Sequence, residues 1–192
     1  PLSAIGLVET VTKDKATSVV VNAACSSVCK LMIRMFARQN VTVIAVVRKE
    51  GQIKHLQEEF VPNVKHVLNS TDENFVEEFK KITEELGCKH LLETVAGKEG
   101  GRLISNMPKD SQCYIYGTLS HDDLGGIDVF SVVEKRIQIK GYYVADWLKS
   151  KNIVKLMWMF YKLKKNYMTD YRVDISKEYD LKDFKKALED YE

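Results

Sequence analysis

The sequence predicts an α/β protein with a doubly wound, parallel six-stranded sheet and helices on both faces. Six short apolar runs alternate with helical patterns along most of its 192 residues. Strands that alternate with helices indicate right-handed crossovers and a parallel sheet. The three prolines, at positions 1, 62 and 108, fall outside the six runs, as expected for a residue that cannot donate to a strand ladder. A hydrophobic content of 45% is sufficient for a large core.

The individual elements follow from periodicity and from runs of β-branched residues. An opening helix precedes the turn at residues 13–15. The predicted strands are residues 18–23, 41–47, 65–68, 90–95, 111–116 and 136–144. The predicted crossover helices are residues 27–39, 50–60, 72–87 and 98–106.

The chain is predicted to divide at residue 146. Residues 1–146 hold the sheet, whereas residues 147–168 form one long amphipathic helix and residues 171–175 a strand. Asp180 is expected to cap a last helix. The buried stripe expected on that helix is Leu181, Phe184, Ala187 and Leu188. Residues 147–192 are therefore expected to lead toward a further domain that is missing from this chain.

Composition argues against several classes of partner. A net charge of +2, with 29 basic and 27 acidic residues, offers no general attraction for nucleic acid or for an anionic membrane. The short basic run at Lys162, Lys164 and Lys165 leaves nucleic-acid binding as a weak alternative. No apolar run approaches the roughly 20 residues of a membrane span. The predicted localisation is the cytoplasm, with the mitochondrial matrix as the alternative.

The cysteines and histidines do not predict a metal site. Cys25, Cys29, Cys88 and Cys113 lack paired CxxC spacing, and the four histidines fall on different predicted elements. We expect reduced, packed thiols and no bound metal.

Residues 18–36, SVVVNAACSSVCKLMIRMF, form the most informative segment. An apolar strand gives way to small residues and then to a helix, the order in which dinucleotide-binding βαβ units place pyrophosphate on free helix N–H groups. Where the fingerprint of that unit is G-x-G-x-x-G, this chain has Ala24, Ser26 and Cys29. The Cβ atoms that these residues have and glycine lacks hinder the close approach of a phosphate to the backbone. The hydroxyl groups of Ser26 and Ser27, by contrast, supply hydrogen-bond donors for a phosphate. Cofactor binding and an ordinary strand-to-helix corner both remain open for this motif alone.

The residues that follow the second predicted strand favour the binding of a dinucleotide cofactor. Arg48 and Lys49 follow Val47 at the position where an acidic residue would bind the ribose hydroxyl of NAD. An arginine there can form charge-assisted hydrogen bonds to a 2′-phosphate, which indicates NADP. The alternative is a pair of solvated turn charges.

Three further groups of residues bear on this site. Thr94 and Val95 end the fourth predicted strand, and Tyr116, Gly117 and Thr118 end the fifth. Ligands in open parallel sheets bind at the carboxyl ends of the strands, so these residues are candidates for the nicotinamide half; short polar turns are the alternative. The stripe of Lys30, Arg34 and Arg38 is predicted to face solvent.

With these motifs in view, the chain resembles the nucleotide-binding half of the medium-chain dehydrogenases/reductases, within the alcohol dehydrogenase superfamily. The nearest branch is the zinc-independent, quinone-oxidoreductase-like one. The segments that carry the resemblance, in family order, are PLSAIGLVETV, NAACSSVC, VIAVVRK, HVLNSTDENF, LLETVAG, YIYGTLS and KGYYVADWL.

The resemblance implies a Rossmann-like fold that binds NADP(H). It implies pyrophosphate contacts from Ser26, Ser27 and Val28, with Ala24 in the same turn, and a 2′-phosphate contact from Arg48. Ser70 and Thr94 would lie near the adenosine and ribose. The nicotinamide end would be bordered by Tyr116, Gly117, Thr118 and Ser3.

The resemblance also implies an oxidoreductase that transfers hydride between nicotinamide and a small carbonyl, enone or quinone substrate. It implies a homodimer through the 137–144 strand, because an exposed strand edge is a template for pairing. No catalytic residue is assigned, since the family's substrate pocket comes largely from a barrel-like domain absent from this chain. The alternative is a non-catalytic scaffold or assembly protein that retains the fold with a degenerate cofactor loop.

Overall fold

A single parallel sheet organises the computed structural model, which describes residues 1–60, 64–166, 171 and 177–190. Within these residues the sheet has six strands in the order β3-β2-β1-β4-β5-β6. The strands are Ser18–Val21 (β1), Thr42–Val47 (β2), His66–Asn69 (β3), His90–Glu93 (β4), Gln112–Ile115 (β5) and Gln138–Gly141 (β6). The predicted fold class is confirmed, and the order reverses between β1 and β4.

Helices connect the strands and continue after β6. They are Leu2–Lys13 (α1), Ser27–Arg38 (α2), Glu50–Phe60 (α3), Phe75–Glu85 (α4), Gly97–Asn106 (α5), Val129–Lys135 (α6), Val144–Lys149 (α7), Ile153–Lys165 (α8) and Phe184–Glu189 (α9), with a 3-10 turn at Leu181–Asp183. No helix among the described residues is both long enough and apolar enough to cross a membrane.

Two hydrophobic cores cover the two faces of the sheet. In β1, Val19 and Val21 pack with α1, α2 and α3, whereas Val20 packs with α4 and α5. Phe36 and Phe79, one in each core, have no exposed surface. Successive side chains of a strand point to opposite faces, so continuously apolar strands bury both faces of the sheet, as expected for a parallel sheet covered by helices.

Helix α6 was not predicted from the sequence. It begins after Asp128, whose side chain accepts a hydrogen bond from the Phe130 N–H at 3.1 Å. Val129, Phe130 and Val133 are 69–73% exposed. The helix therefore has no buried stripe, and periodicity did not reveal it.

The predicted single helix at 147–168 is wrong, because two helices, α7 and α8, occupy its described part. Ser150 Oγ donates to the Trp147 carbonyl at 2.6 Å, and Asn152 caps α8 by accepting from the Lys155 N–H at 2.8 Å. These local hydrogen bonds compete with a continuous helix. Residue 146, the predicted boundary, lies within α7.

The C-terminal predictions are also partly corrected. Asp180 makes no side-chain capping bond. Leu181, Phe184 and Leu188 of the predicted buried stripe are 91%, 53% and 62% exposed. The predicted strand at 171–175 lies outside the described residues apart from Tyr171.

Candidate cofactor site at the carboxyl edge

The predicted cofactor residues meet at one edge of the sheet. Because the strands are parallel, the loops after β1 to β5 all open at this edge, which we call the carboxyl edge. The predicted residues in these loops, or in the first turn of α2 for Ser27 and Val28, are Ala24, Ser26, Ser27, Val28, Arg48, Lys49, Ser70, Thr94, Val95, Tyr116, Gly117 and Thr118. Folds of this type bind ligands at the carboxyl edge, beside the point where the strand order reverses.

Ser3 lies toward the same edge from a different element. Asp14, just after α1, is 3.2 Å from His90 at the start of β4, so α1 ends at the opposite edge of the sheet. Gly6, in the first half of α1, contacts Tyr142, which follows β6. The first turn of α1 therefore lies beside the carboxyl ends of the strands.

The side chains of the glycine-free turn point into the protein and do not cover the start of α2. Ala24 has no exposed surface and belongs to the core. The Cys29 thiol donates to the Asn22 carbonyl at 3.2 Å, and the Cys25 thiol lies 4.0 Å from the Gln52 carbonyl. Burial raises the pKa of Cys25 despite the nearby Lys30 ammonium, so both cysteines serve as packed thiols.

The start of α2 presents hydrogen-bond donors to the crevice. Ser26 is the N-cap, and its hydroxyl accepts from the Cys29 N–H at 3.4 Å. The N–H groups of Ser27 and Val28 have no hydrogen-bond partner among the described residues, as expected for the first turn of a helix. Ser27 is exposed, so its hydroxyl and these N–H groups can reach an anion.

Arg48 and Lys49 extend into solvent beyond β2. Gln52 Oε1 accepts hydrogen bonds from both of their backbone N–H groups, each at 3.1 Å, which orders the turn into α3. Within the described part of the chain, the Arg48 guanidinium has no ion pair or hydrogen bond. The guanidinium is therefore available for a phosphate.

The predicted solvent-facing stripe on α2 is wrong for two of its members. Lys30 and Arg34 bind the two oxygens of Glu59 at 2.7 and 2.8 Å, and Arg34 lies 5.4 Å from the centre of the Phe60 ring. Because α2 and α3 pack side by side on one face of the sheet, these charges connect the two helices.

Ser70 stands in a polar cluster between β3 and α5. Its N–H donates to the Val47 carbonyl at 2.8 Å, and its carbonyl accepts from Arg102. Arg102 also lies 3.4 Å from Glu99. Burial raises the pKa of Glu99, and the Arg102 charge opposes that rise. Ser70 is thus held firmly on the side predicted for the adenosine.

The ends of β4 and β5 are joined by close contacts. The Thr94 carbonyl accepts from the Leu119 N–H at 2.8 Å, and the Val95 carbonyl accepts from the Ser120 N–H at 2.9 Å. A Cβ at Gly117 would lie 2.3 Å from Thr94 Oγ1, so glycine permits this approach.

Tyr116 is turned toward α2. Its hydroxyl lies 3.3 Å from the Cys29 thiol, and burial raises its pKa. The structure therefore leaves Gly117 and Thr118 as the more accessible part of the segment predicted to meet the nicotinamide. Cys29 and Tyr116 pack together beneath the glycine-free turn.

Sequence reasoning missed one polar pair at this edge. Asn22 and Glu93, at the ends of β1 and β4, are 1% and 0% exposed. Asn22 Nδ2 donates to Glu93 Oε1 at 2.8 Å, and Asn22 Oδ1 accepts from the Thr94 N–H at 2.9 Å. A polar residue at the end of each apolar strand was the only sequence signal.

No group of three or more histidine, cysteine, aspartate or glutamate side chains in the described ranges is placed to hold a metal ion. The predicted absence of a metal, and with it zinc independence, stays a prediction. The four cysteines are free thiols, as predicted.

No protein-family model and no curated protein matches the sequence. The structure is similar to a protein assigned as an NADPH:quinone reductase from Mesorhizobium loti, with a TM-score of 0.81 and 22% identity over 92% of this chain and 50% of that chain. It is also similar to the mitochondrial 2-enoyl thioester reductase heterodimer Etr1p/Etr2p from Candida tropicalis (TM-score 0.77, 16% identity, 100% of this chain and 56% of that chain).

A third similar structure is an Etr1p mutant in complex with NADP and crotonyl-CoA (TM-score 0.71, 16% identity, 98% of this chain and 56% of that chain). The chain spans about half the length of the structures it matches. The predicted resemblance to quinone-oxidoreductase-like reductases is confirmed at the level of the fold. The chain therefore shares its fold with these NADPH:quinone and enoyl thioester reductases over about half of their length.

Proposed function

We propose that this chain is the NADP(H)-binding domain of an oxidoreductase that transfers hydride between nicotinamide and a carbonyl, enone or quinone substrate. The observation that carries the proposal is that the α2 N-terminus and the Arg48 guanidinium, which has no partner among the described residues, lie at the same edge of the sheet. The names of the matched reductases support the same cofactor and the same class of reaction.

The hydrogen-bond donors and positive charges at the carboxyl edge match the phosphate groups of NADP. Ser27 and Val28 offer backbone N–H groups, Ser26 and Ser27 offer hydroxyls, and Arg48 and Lys49 offer positive charge. A pyrophosphate and a 2′-phosphate need such donors and no acceptors. When bound, the cofactor supplies the hydride chemistry, and the residues of this chain bind it, orient it and limit the access of water.

The substrate class is proposed from the matched proteins, which are named for quinones and enoyl thioesters. Both classes contain a carbonyl conjugated to a double bond. No catalytic residue is proposed within this chain. The division at residue 146 and the cytoplasmic or mitochondrial-matrix localisation stay predictions.

Titration calorimetry with NADPH and NADH tests the cofactor proposal. We expect micromolar binding of NADPH and binding of NADH that is weaker by roughly tenfold or more, because only NADPH carries the 2′-phosphate for Arg48. Equal affinity for the two cofactors would contradict the role of the 2′-phosphate. No binding of either at millimolar concentration would favour the scaffold alternative.

We further propose that the protein forms a homodimer through β6. This strand ends the described sheet and pairs with β5 alone, so one edge of its backbone has no partner strand in that sheet. On the preceding α6, Val129, Phe130 and Val133 are 69–73% exposed. An unpaired strand edge and an exposed apolar patch on the preceding helix both favour association with a second copy.

Sedimentation velocity tests the homodimer with the double variant Phe130→Asp/Val133→Asp. We expect it to weaken dimerisation by about 100-fold or more, because an unpaired carboxylate is costly to bury. Val154→Asp is the matched control, since Val154 on α8 is 70% exposed and lies outside the proposed interface. A monomeric wild-type protein at high concentration would contradict the proposal.

A further inference from the structure

The backbone after β4 adopts a conformation that is unfavourable for alanine. Ala96 has φ 61° and ψ −146°, a region that is almost exclusive to glycine. Gly97 follows with φ 59°. A residue with a Cβ persists there only when its surroundings hold it, and Ala96 is 4% exposed.

The Glu93 side chain holds this turn. Glu93 Oε1 accepts hydrogen bonds from the N–H groups of Val95 and Ala96, each at 2.9 Å, and from Asn22 Nδ2 at 2.8 Å. The other oxygen of this carboxyl group, Oε2, is buried and has no hydrogen-bond partner among the described residues. Asn22 Oδ1 in turn accepts a hydrogen bond from the Thr94 N–H. The buried pair of Asn22 and Glu93 therefore binds the N–H groups of three consecutive residues, Thr94, Val95 and Ala96.

The position of this turn affects two sides of the crevice. Asn22 directly follows β1 and Glu93 ends β4, the two strands between which the strand order reverses. The carbonyls of Thr94 and Val95 also bind the N–H groups of Leu119 and Ser120. A shift of the turn after β4 would therefore move the loop after β5 as well.

We propose that Glu93, braced by Asn22, is a positioning residue that holds the strained turn at Val95 and Ala96 in the conformation required to bind the dinucleotide. The inference rests on the proposed function of the carboxyl edge as an NADP(H) site. Glu93 acts through the backbone, because its side chain has no exposed surface with which to touch a ligand.

The test is a rescue experiment. Glu93→Gln keeps the shape of the side chain but replaces its carboxyl group by an amide, and we expect the Kd for NADPH to rise about tenfold. Adding Ala96→Gly should return the Kd to within about threefold of the wild-type value, because glycine adopts this conformation without strain. If Glu93 only stabilised the fold, glycine at position 96 would not restore the affinity for NADPH.

Two variants serve as controls. Thr83→Val removes another buried polar group, whose hydroxyl bonds within α4, and should leave the Kd unchanged. Ala96→Gly alone should raise the melting temperature without changing the Kd, since Glu93 still holds the turn. A loss of NADPH affinity in Ala96→Gly alone would overturn the inference, even if Glu93→Gln does not fold.

Amide hydrogen exchange without cofactor separates this inference from the proposed function. We expect Glu93→Gln to speed exchange at Val95 and Ala96 about tenfold while leaving Val43 in β2 unchanged. Unchanged exchange at Val95 and Ala96, or failure of the rescue, would overturn the positioning role. Protected amides in a wild-type protein that binds no NADPH would instead contradict the proposed function.

Discussion

Arg48→Ala is expected to weaken NADPH binding by roughly 10- to 150-fold, the effect of losing about 1.5–3 kcal/mol of charge-assisted hydrogen bonding. NADH binding should change little, because NADH has no 2′-phosphate. Calorimetric titration of both cofactors against wild type and variant measures the two effects. The melting temperature should remain the same, since Arg48 is exposed.

The structure explains why the effect should be confined to one contact. Gln52 binds the backbone N–H groups of Arg48 and Lys49, so the turn keeps its position when the Arg48 side chain is removed. Lys109→Ala is the matched control, because Lys109 is exposed in the loop before β5 at the opposite edge of the sheet. Equal weakening of NADPH and NADH by Arg48→Ala would contradict recognition of the 2′-phosphate.

Gly101→Ala is expected to lower the free energy of unfolding by about 3 kcal/mol, the upper end of the usual cost of overpacking. A Cβ at Gly101 in α5 would lie 1.8 Å from the carbonyl oxygen of Gly125 and 2.7 Å from the carbonyl carbon of Gly126. A backbone carbonyl cannot rotate away as a side chain does, so the loop over α5 must shift. Urea denaturation measures the change.

Gly51→Ala is the matched control for this substitution. Gly51 also lies in a helix, α3, but a Cβ there meets no atom within 4 Å. Alanine should therefore raise the free energy of unfolding by up to about 1 kcal/mol through its helix propensity. If both variants change stability alike, the loop at Gly125 is not packed against α5 as the structure shows.

Local patterns predicted most of the fold. The predicted elements at 41–47 and 50–60 appear as Thr42–Val47 and Glu50–Phe60, because β-branched runs and amphipathic periodicity are local signals. The predictions failed where a helix has no buried face or where a local hydrogen bond ends one helix and begins another. Helix α6 exposes its apolar residues, and Asn152 separates α7 from α8 by capping the second helix.

The candidate site was predictable where its residues follow strands. Ser26 and Arg48 were located from strand ends, because parallel strands direct their following loops to one edge. The directions of the cysteine side chains were not predictable. The inward turn of Cys29 depends in part on its contact with Tyr116, 87 positions away in the chain.

By itself, the sequence determined the six strands, the helices that connect the first five of them, the parallel sheet and the positions that reach its carboxyl edge, since each depends on neighbouring residues. Only the tertiary structure decided which side chains meet there. It placed Glu93 and Asn22 together across 71 positions of the chain, and it supported Ala96 in a backbone conformation that alanine disfavours. Such contacts arise from packing between distant segments, which no local pattern encodes.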